Sequence, residues 1–166
     1  WIHMASALGT IATPQARQAL LKARNSKNTR KQSTALTALR NLQRRSPGYR
    51  YLYQGNNFRK QKQKDNAINY YTRAIQMDPQ LSEAYSGRAL VLITQTGKGK
   101  EARADFVKAE KLDPYNVQAV AYSTLLMANA GNYPAALKKS EQVRKRFLKD
   151  NSFAFQTARL YGKAAK

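Results

Sequence analysis

With 166 residues, of which 42% are apolar, the chain is long enough to bury a core and short enough to favour one domain. It has no cysteine and one histidine, His3, so disulfides, thiolate chemistry and the common cysteine–histidine metal sites are excluded. The net charge of +21 favours an acidic partner, such as nucleic acid, anionic lipid or an acidic protein.

The positive charge is concentrated in the first part of the chain. Residues 1–64 contain 14 lysines and arginines and no acidic residue, whereas residues 65–166 contain 16 basic and 9 acidic residues. We expect a basic surface here that either binds a polyanion or simply keeps the protein solvated. Its candidate residues are Arg24, Lys27, Arg30, Lys31, Arg44, Arg45, Arg50, Lys62 and Lys64.

The first residues show no helical period. Trp1-Ile2-His3-Met4 is typical of a cloning remnant, so we expect residues 1–13 to be a tag remnant or disordered, with the native sequence beginning after Met4. Thr13-Pro14 is then a helix-start signal. Residues 14–47 predict two helices around a polar turn, which we interpret as a degenerate repeat or a capping hairpin.

The most regular stretch is 48–81. Gly55, Ala67, Tyr71, Ala74 and Pro79 follow the spacing G-x11-A-x3-Y-x2-A-x4-P. Two antiparallel helices joined by the turn at 62–64 fit this pattern, because small residues let them approach and the aromatic ring fills the gap. A unit of this size needs neighbours to bury its apolar faces.

Two further copies follow. In 82–116, Ala102, Phe106, Ala109 and Pro114 repeat the spacing, with Ala89 in the place of Gly55. In 117–151 the copy is degenerate, since Ser140 and Val143 replace the aromatic residue and the second alanine. Residues 152–166 predict a last amphipathic helix that caps the array.

This spacing resembles the tetratricopeptide repeat family, over about residues 48–151. The resemblance implies an all-α fold, a right-handed solenoid of helix-turn-helix repeats with helical caps. It also implies a scaffold or adaptor that binds a peptide or helix of a partner protein in a concave groove. The first helices of the repeats would line that groove with Tyr49, Leu52, Tyr53, Asn56, Arg59, Lys60, Ser86, Leu90, Ile93, Gln118, Tyr122, Leu125 and Asn129. Alternatively, the apolar members of this set pack against neighbouring helices.

One subtype of the family grips the C-terminal carboxylate of heat-shock chaperones with a clamp of Lys, Asn, Asn, Lys and Arg. The matching positions here are Leu52, Asn56, Gly87, Gln118 and Tyr122. Without the cations, the charge-assisted hydrogen bonds of such a clamp are lost. The sequence therefore disfavours that subtype.

Catalysis is not indicated. The nine carboxylates are scattered, and the sequence contains no phosphate-binding loop or metal-ligand cluster. We therefore expect a non-enzyme without cofactors that binds a protein segment, preferably acidic. The alternative is polyanion binding through the basic region, with nucleic acid the less favoured target.

A secretion signal before Ala5 would favour the bacterial cell envelope or periplasm by family analogy, and otherwise we expect the cytoplasm. The oligomeric state stays open.

Overall fold

A computed structural model describes residues 2–10, 13–24, 26–144, 146–147, 153–154, 157–159 and 162. Every regular element in this described part is an α-helix. In chain order the helices are α1 (Ile2–Thr10), α2 (Pro14–Arg24), α3 (Thr29–Arg45), α4 (Tyr49–Lys60), α5 (Lys64–Met77), α6 (Ser82–Leu92), α7 (Gly99–Leu112), α8 (Val117–Asn129) and α9 (Tyr133–Arg144). None of them is long and apolar enough to cross a membrane.

The helices pack as successive neighbours, which makes the fold an all-α solenoid. The hairpins α4–α5, α6–α7 and α8–α9 form its body, and α4 also contacts α6 directly. In the first hairpin the fully buried ring of Tyr71 lies between Ala67 and Ala74, and in the second Phe106 holds the same position. The predicted small–aromatic–small spacing thus coincides with the core of each hairpin.

Residues 2–10 differ from the expectation of disorder, because they form α1. This helix packs against α3 through Ala5, which is fully buried, and through Gly9. A Cβ added at Gly9 would lie only 3.2 Å from Ala38. Small residues four apart let two helix backbones approach closely without large apolar side chains. Such a contact surface has little hydrophobic periodicity, which is why the sequence did not reveal it.

The N-terminal hairpin α2–α3 buries Ala16, Leu20 and Leu42 together with Ala5 of α1. At the other end, Phe147 and Phe153 lie with ring centroids 5.0 Å apart beside Val120 and Val143. The predicted capping helix at 152–166 lies largely outside the described residues.

Candidate partner-binding groove

A groove of about 580 Å³ runs across α4, α6 and the start of α8. The predicted groove residues that line it are Tyr49, Leu52, Tyr53, Asn56, Arg59, Lys60, Ser86 and Gln118. Tyr53 is 56% exposed, so its ring is available to a partner. The first helices of successive repeats therefore share one concave surface.

The other predicted groove residues lie elsewhere. Leu90 and Ile93 pack against the core of the second hairpin, and Tyr122 stacks on Phe106 with the ring planes 8° apart. Leu125 is buried and Asn129 is exposed near the end of α8. Because α8 is apolar on most sides, its sequence does not reveal which side faces the groove.

A hydrogen-bonded chain fixes the α4 side of the groove. The hydroxyl of Tyr71 donates to Asn56 Oδ1 at 2.8 Å and accepts from Arg59 Nε at 3.2 Å. Burial raises the pKa of Tyr71 above its ordinary value of 10.0, so the hydroxyl stays protonated at neutral pH. The buried core ring of the repeat thus positions two polar side chains at the groove surface.

The groove floor between α6 and α8 is built around Asn116. Its Oδ1 accepts from the backbone N–H of Ala119 at 3.1 Å and so caps α8. Its Nδ2 donates to the hydroxyls of Ser82 at 2.8 Å and Ser86 at 3.0 Å, and Ser82 donates onward to the carbonyl of Ala109. These bonds hold the start of α8 against α6 and α7.

Near the start of α6 the groove is lined by Arg24 of α2 and Gln43 of α3, which the sequence did not predict as groove residues. Two ion pairs dock α2 onto the repeats. Arg17 lies 3.7 Å from Asp78, and Arg24 lies 3.5 Å from Asp113 and stacks 4.4 Å from the ring centroid of Tyr115. The two aspartates precede the prolines that end successive repeats, and the two arginines are two helical turns apart. Arg24 and Asp113 are 89 positions apart along the chain, so no local spacing in the sequence indicates this docking.

Two polar atoms in this part of the groove are buried and, within the described residues, have no hydrogen-bond partner: Glu83 Oε2 and the hydroxyl of Tyr115. Desolvation raises the pKa of Glu83, and the negative charge of Asp113 adds to this, against the opposing effects of its own backbone N–H and of Arg17 and Arg24. Buried polar atoms are normally paired, so these two are candidates for contact with a ligand.

The predicted basic surface is spread along the molecule. Arg24 belongs to the groove wall, whereas Lys27, Arg30, Arg44, Arg45, Arg50, Lys62 and Lys64 are exposed and Lys31 is partly exposed. The ends of α3 are about 24 Å apart, so its cations form two separate groups. Among the described residues no three histidines, cysteines or carboxylates group into a metal site.

Residues 48–81 match the family model described as "Tetratricopeptide repeat", and this is the range assigned above to the first repeat. The TPR domain of Arabidopsis OM64 is similar in structure, with a TM-score of 0.60 and 22% identity over 70% of this chain and 95% of that chain. The TPR2AB domain of yeast Sti1, solved in a complex with pHSP90, has a TM-score of 0.61 and 23% identity over 98% of this chain and 70% of that chain. No curated protein matches the chain. The chain thus carries a tetratricopeptide repeat and has the fold of tetratricopeptide-repeat domains.

Proposed function

We propose that this tetratricopeptide-repeat solenoid is a non-catalytic adaptor that binds a segment of a partner protein in the groove across α4, α6 and α8. The proposal rests on the chemical character of the residues that line that groove. The lining combines exposed aromatic surface at Tyr53 with amides at Asn56, Asn57 and Gln118, and with cations at Arg59 and Lys60. Tyrosine gives a large contact area at low entropic cost, and amides can bond a peptide backbone.

The yeast Sti1 domain is a similar fold that was solved with pHSP90, and this supports peptide binding as the use of the groove. The partner chemistry differs from that of a carboxylate clamp. Leu52 and Gly87 occupy two of the five clamp positions, and Tyr122 at a third stacks on Phe106. We therefore expect a partner segment that is not held by a terminal carboxylate.

Selection from a phage-displayed dodecapeptide library tests the proposal. Selected peptides should bind the wild-type chain at ~0.3 M salt, where the Debye length is about 6 Å and long-range attraction is weak. The double variant Tyr53→Ala/Lys60→Ala should bind them at least tenfold more weakly. Lys108→Ala, which removes an exposed cation on α7, is the matched control and should bind normally. Failure to select any peptide, or equal binding by the groove variant, would overturn the proposal.

A second candidate function is polyanion binding, favoured by the exposed cations at both ends of α3 in an acid-free stretch of sequence. It predicts binding to heparin or duplex DNA with a steep salt dependence. The triple variant Arg30→Gln/Arg44→Gln/Arg45→Gln should bind less well than Lys98→Gln/Lys100→Gln/Lys108→Gln, which loses the same charge elsewhere. Equal losses in the two variants would show that net charge, and not this surface, causes the attraction.

A further inference from the structure

We infer that the groove recognises a bipolar segment, with a basic side chain of the partner at Glu83 and an acidic side chain at Arg59 and Lys60. The inference rests on the proposed function and specifies its ligand. It follows from three features of the groove. Among the described residues, one oxygen of Glu83 has no hydrogen-bond partner, and Arg59 and Lys60 have no ion-pair partner. The third feature is the separation of these two ends that the repeat geometry gives.

The negative end is Glu83, in the first turn of α6. Its nearest cations are engaged elsewhere, because Arg17 lies against Asp78 and Arg24 against Asp113. Glu83 Oε2 is buried and accepts no hydrogen bond from the described residues. A lysine ammonium or arginine guanidinium from a ligand would supply both the missing donor and the missing charge.

Tyr115 reinforces this end of the groove. Its hydroxyl is the other buried atom without a hydrogen-bond partner among the described residues, and it lines the same groove as Glu83. Arg24 covers the face of its ring at 4.4 Å, which leaves the hydroxyl as the group to be satisfied. A lysine ammonium carries three donors, which allows it to bond more than one acceptor at this end of the groove.

The positive end is formed by Arg59 and Lys60, at the end of α4. Among the described residues neither has a carboxylate within ion-pairing distance. Arg59 donates through Nε to the neutral hydroxyl of Tyr71, which orients the guanidinium without neutralising it. An aspartate or glutamate of the partner would therefore find a positioned cation here.

The repeat spacing gives the separation of the two ends. Glu83 occupies the position in its repeat that Tyr49 occupies in the previous one, 34 residues earlier. Arg59 lies ten residues beyond Tyr49, and at 1.5 Å per residue the offset along the parallel helices is about 15 Å. The axes of α4 and α6, which contact each other, are also about 10 Å apart sideways, so the two ends are about 18 Å apart. An extended peptide spans about 18 Å in five to six residues. The ligand should therefore carry a basic and an acidic residue five to six positions apart.

The test uses the dodecapeptides selected on the wild-type chain. Lysine or arginine should be enriched five to six positions from aspartate or glutamate. For one such peptide, Glu83→Gln should weaken binding at least tenfold. When the basic residue of that peptide is replaced by glutamine, the wild type and Glu83→Gln should bind the altered peptide equally well. Likewise, Arg59→Gln/Lys60→Gln should weaken binding of the original peptide but not of a peptide whose acidic residue is replaced by glutamine. Glu141→Gln, on an exposed carboxylate of α9, is the matched control for loss of one negative charge.

The outcomes separate this inference from the proposed function. Groove-dependent peptides that lack the charged pair, or that carry it at another spacing, would overturn the bipolar inference and leave the adaptor intact. Absence of any groove-dependent peptide would overturn both. The circular dichroism spectrum of each variant should match that of the wild type. A match shows that a loss of affinity does not come from a loss of folded structure.

Discussion

Gly87 lies against the ring of Tyr71, so closely that a Cβ at this glycine would stand 2.5 Å from Cε1 and 2.7 Å from Cζ. A Cβ at Gly55 would stand 2.8 Å from Cδ1 of the same ring and 2.9 Å from Cε1. The aromatic ring of the first repeat therefore packs closely against α4 and α6 at two glycines. Because Tyr71 is fully buried, it has no room to retreat from either.

Gly87→Ala should therefore destabilise the protein. The added methyl group cannot be accommodated by moving the ring, since the ring is fully buried and already packs against Gly55, so α6 must shift away from α5. Overpacking of this kind costs about 1–3 kcal/mol. Urea denaturation should show a lower midpoint with an unchanged slope. Gly99→Ala is the matched control, because no atom lies within 4 Å of its Cβ position, and it should not lower the midpoint.

The hydroxyl of Tyr71 should stabilise the fold through its two side-chain hydrogen bonds. Tyr71→Phe keeps the ring against the two glycines but removes the hydrogen bonds to Asn56 and Arg59. The free energy of unfolding should fall by about 1–2 kcal/mol, since each net hydrogen bond contributes about 1 kcal/mol. Tyr53→Phe, at a tyrosine that is 56% exposed, should leave stability unchanged. Equal effects of the two substitutions on thermal unfolding would contradict the role assigned to the buried network.

The ion pair between Arg88 and Asp105 should contribute to the stability of the protein. Arg88 donates through Nε and Nη2 to the two carboxylate oxygens at 2.7 and 2.8 Å, and through Nη1 to Thr72 at 3.1 Å. It thereby joins α5, α6 and α7. Both side chains are less than one-quarter exposed, so a double-mutant cycle of Arg88→Ala and Asp105→Ala should give a coupling energy of about 2 kcal/mol.

The same cycle on Lys98 and Glu101 is the control. Their ion pair at 2.7 Å is as short, but the side chains are 46% and 57% exposed. Exposed pairs are screened by water, and the coupling should stay below about 0.5 kcal/mol. A coupling energy for Arg88 and Asp105 no larger than this would show that the bidentate pair does not stabilise the packing of α6 against α7.

The sequence predicted the repeated hairpins because their cores depend on local spacing. Ala67, Tyr71 and Ala74 occupy one face of a single helix, so the pattern needs no knowledge of the tertiary fold. The same reasoning could not find the partner of Arg24, since Asp113 lies 89 residues away. It also could not find α1, whose contact with α3 uses Ala5 and Gly9.

The candidate groove was predictable to the extent that repeat position determines which way a side chain faces. Tyr49, Tyr53 and Asn56 share one face of α4 and line the cavity there, and their role in partner binding stays a prediction. Glu83 is different, because its surroundings include α2 and the start of α8, which are distant from it along the chain. Nothing in the residues beside it along the chain indicates that one carboxylate oxygen is buried and has no partner in the part of the chain that the structure describes.

The last prediction concerns the pH dependence of stability. Burial raises the pKa of Glu83 above its ordinary value of 4.5, with Asp113 reinforcing the shift and Arg17 and Arg24 opposing it. Between 4.5 and the raised pKa the folded state binds more protons than the unfolded state. The contribution of Glu83 to stability is therefore full below pH 4.5 and is lost as the pH rises through the raised pKa. Glu83→Gln removes this titration, so the variant should gain stability relative to the wild type as the pH rises, and keep that gain at neutral pH.

Urea denaturation of both proteins at a series of pH values from 4 to 8 measures the difference, in which the titration of all other groups cancels. Glu141→Gln controls for the loss of one carboxylate at an exposed position and should show no such rise. A stability difference between Glu83→Gln and the wild type that does not change with pH would mean that Glu83 is solvated as well in the folded chain as in the unfolded one. Its carboxylate would then already be satisfied in the free protein, and the groove would hold no vacant acceptor for a basic side chain of a partner.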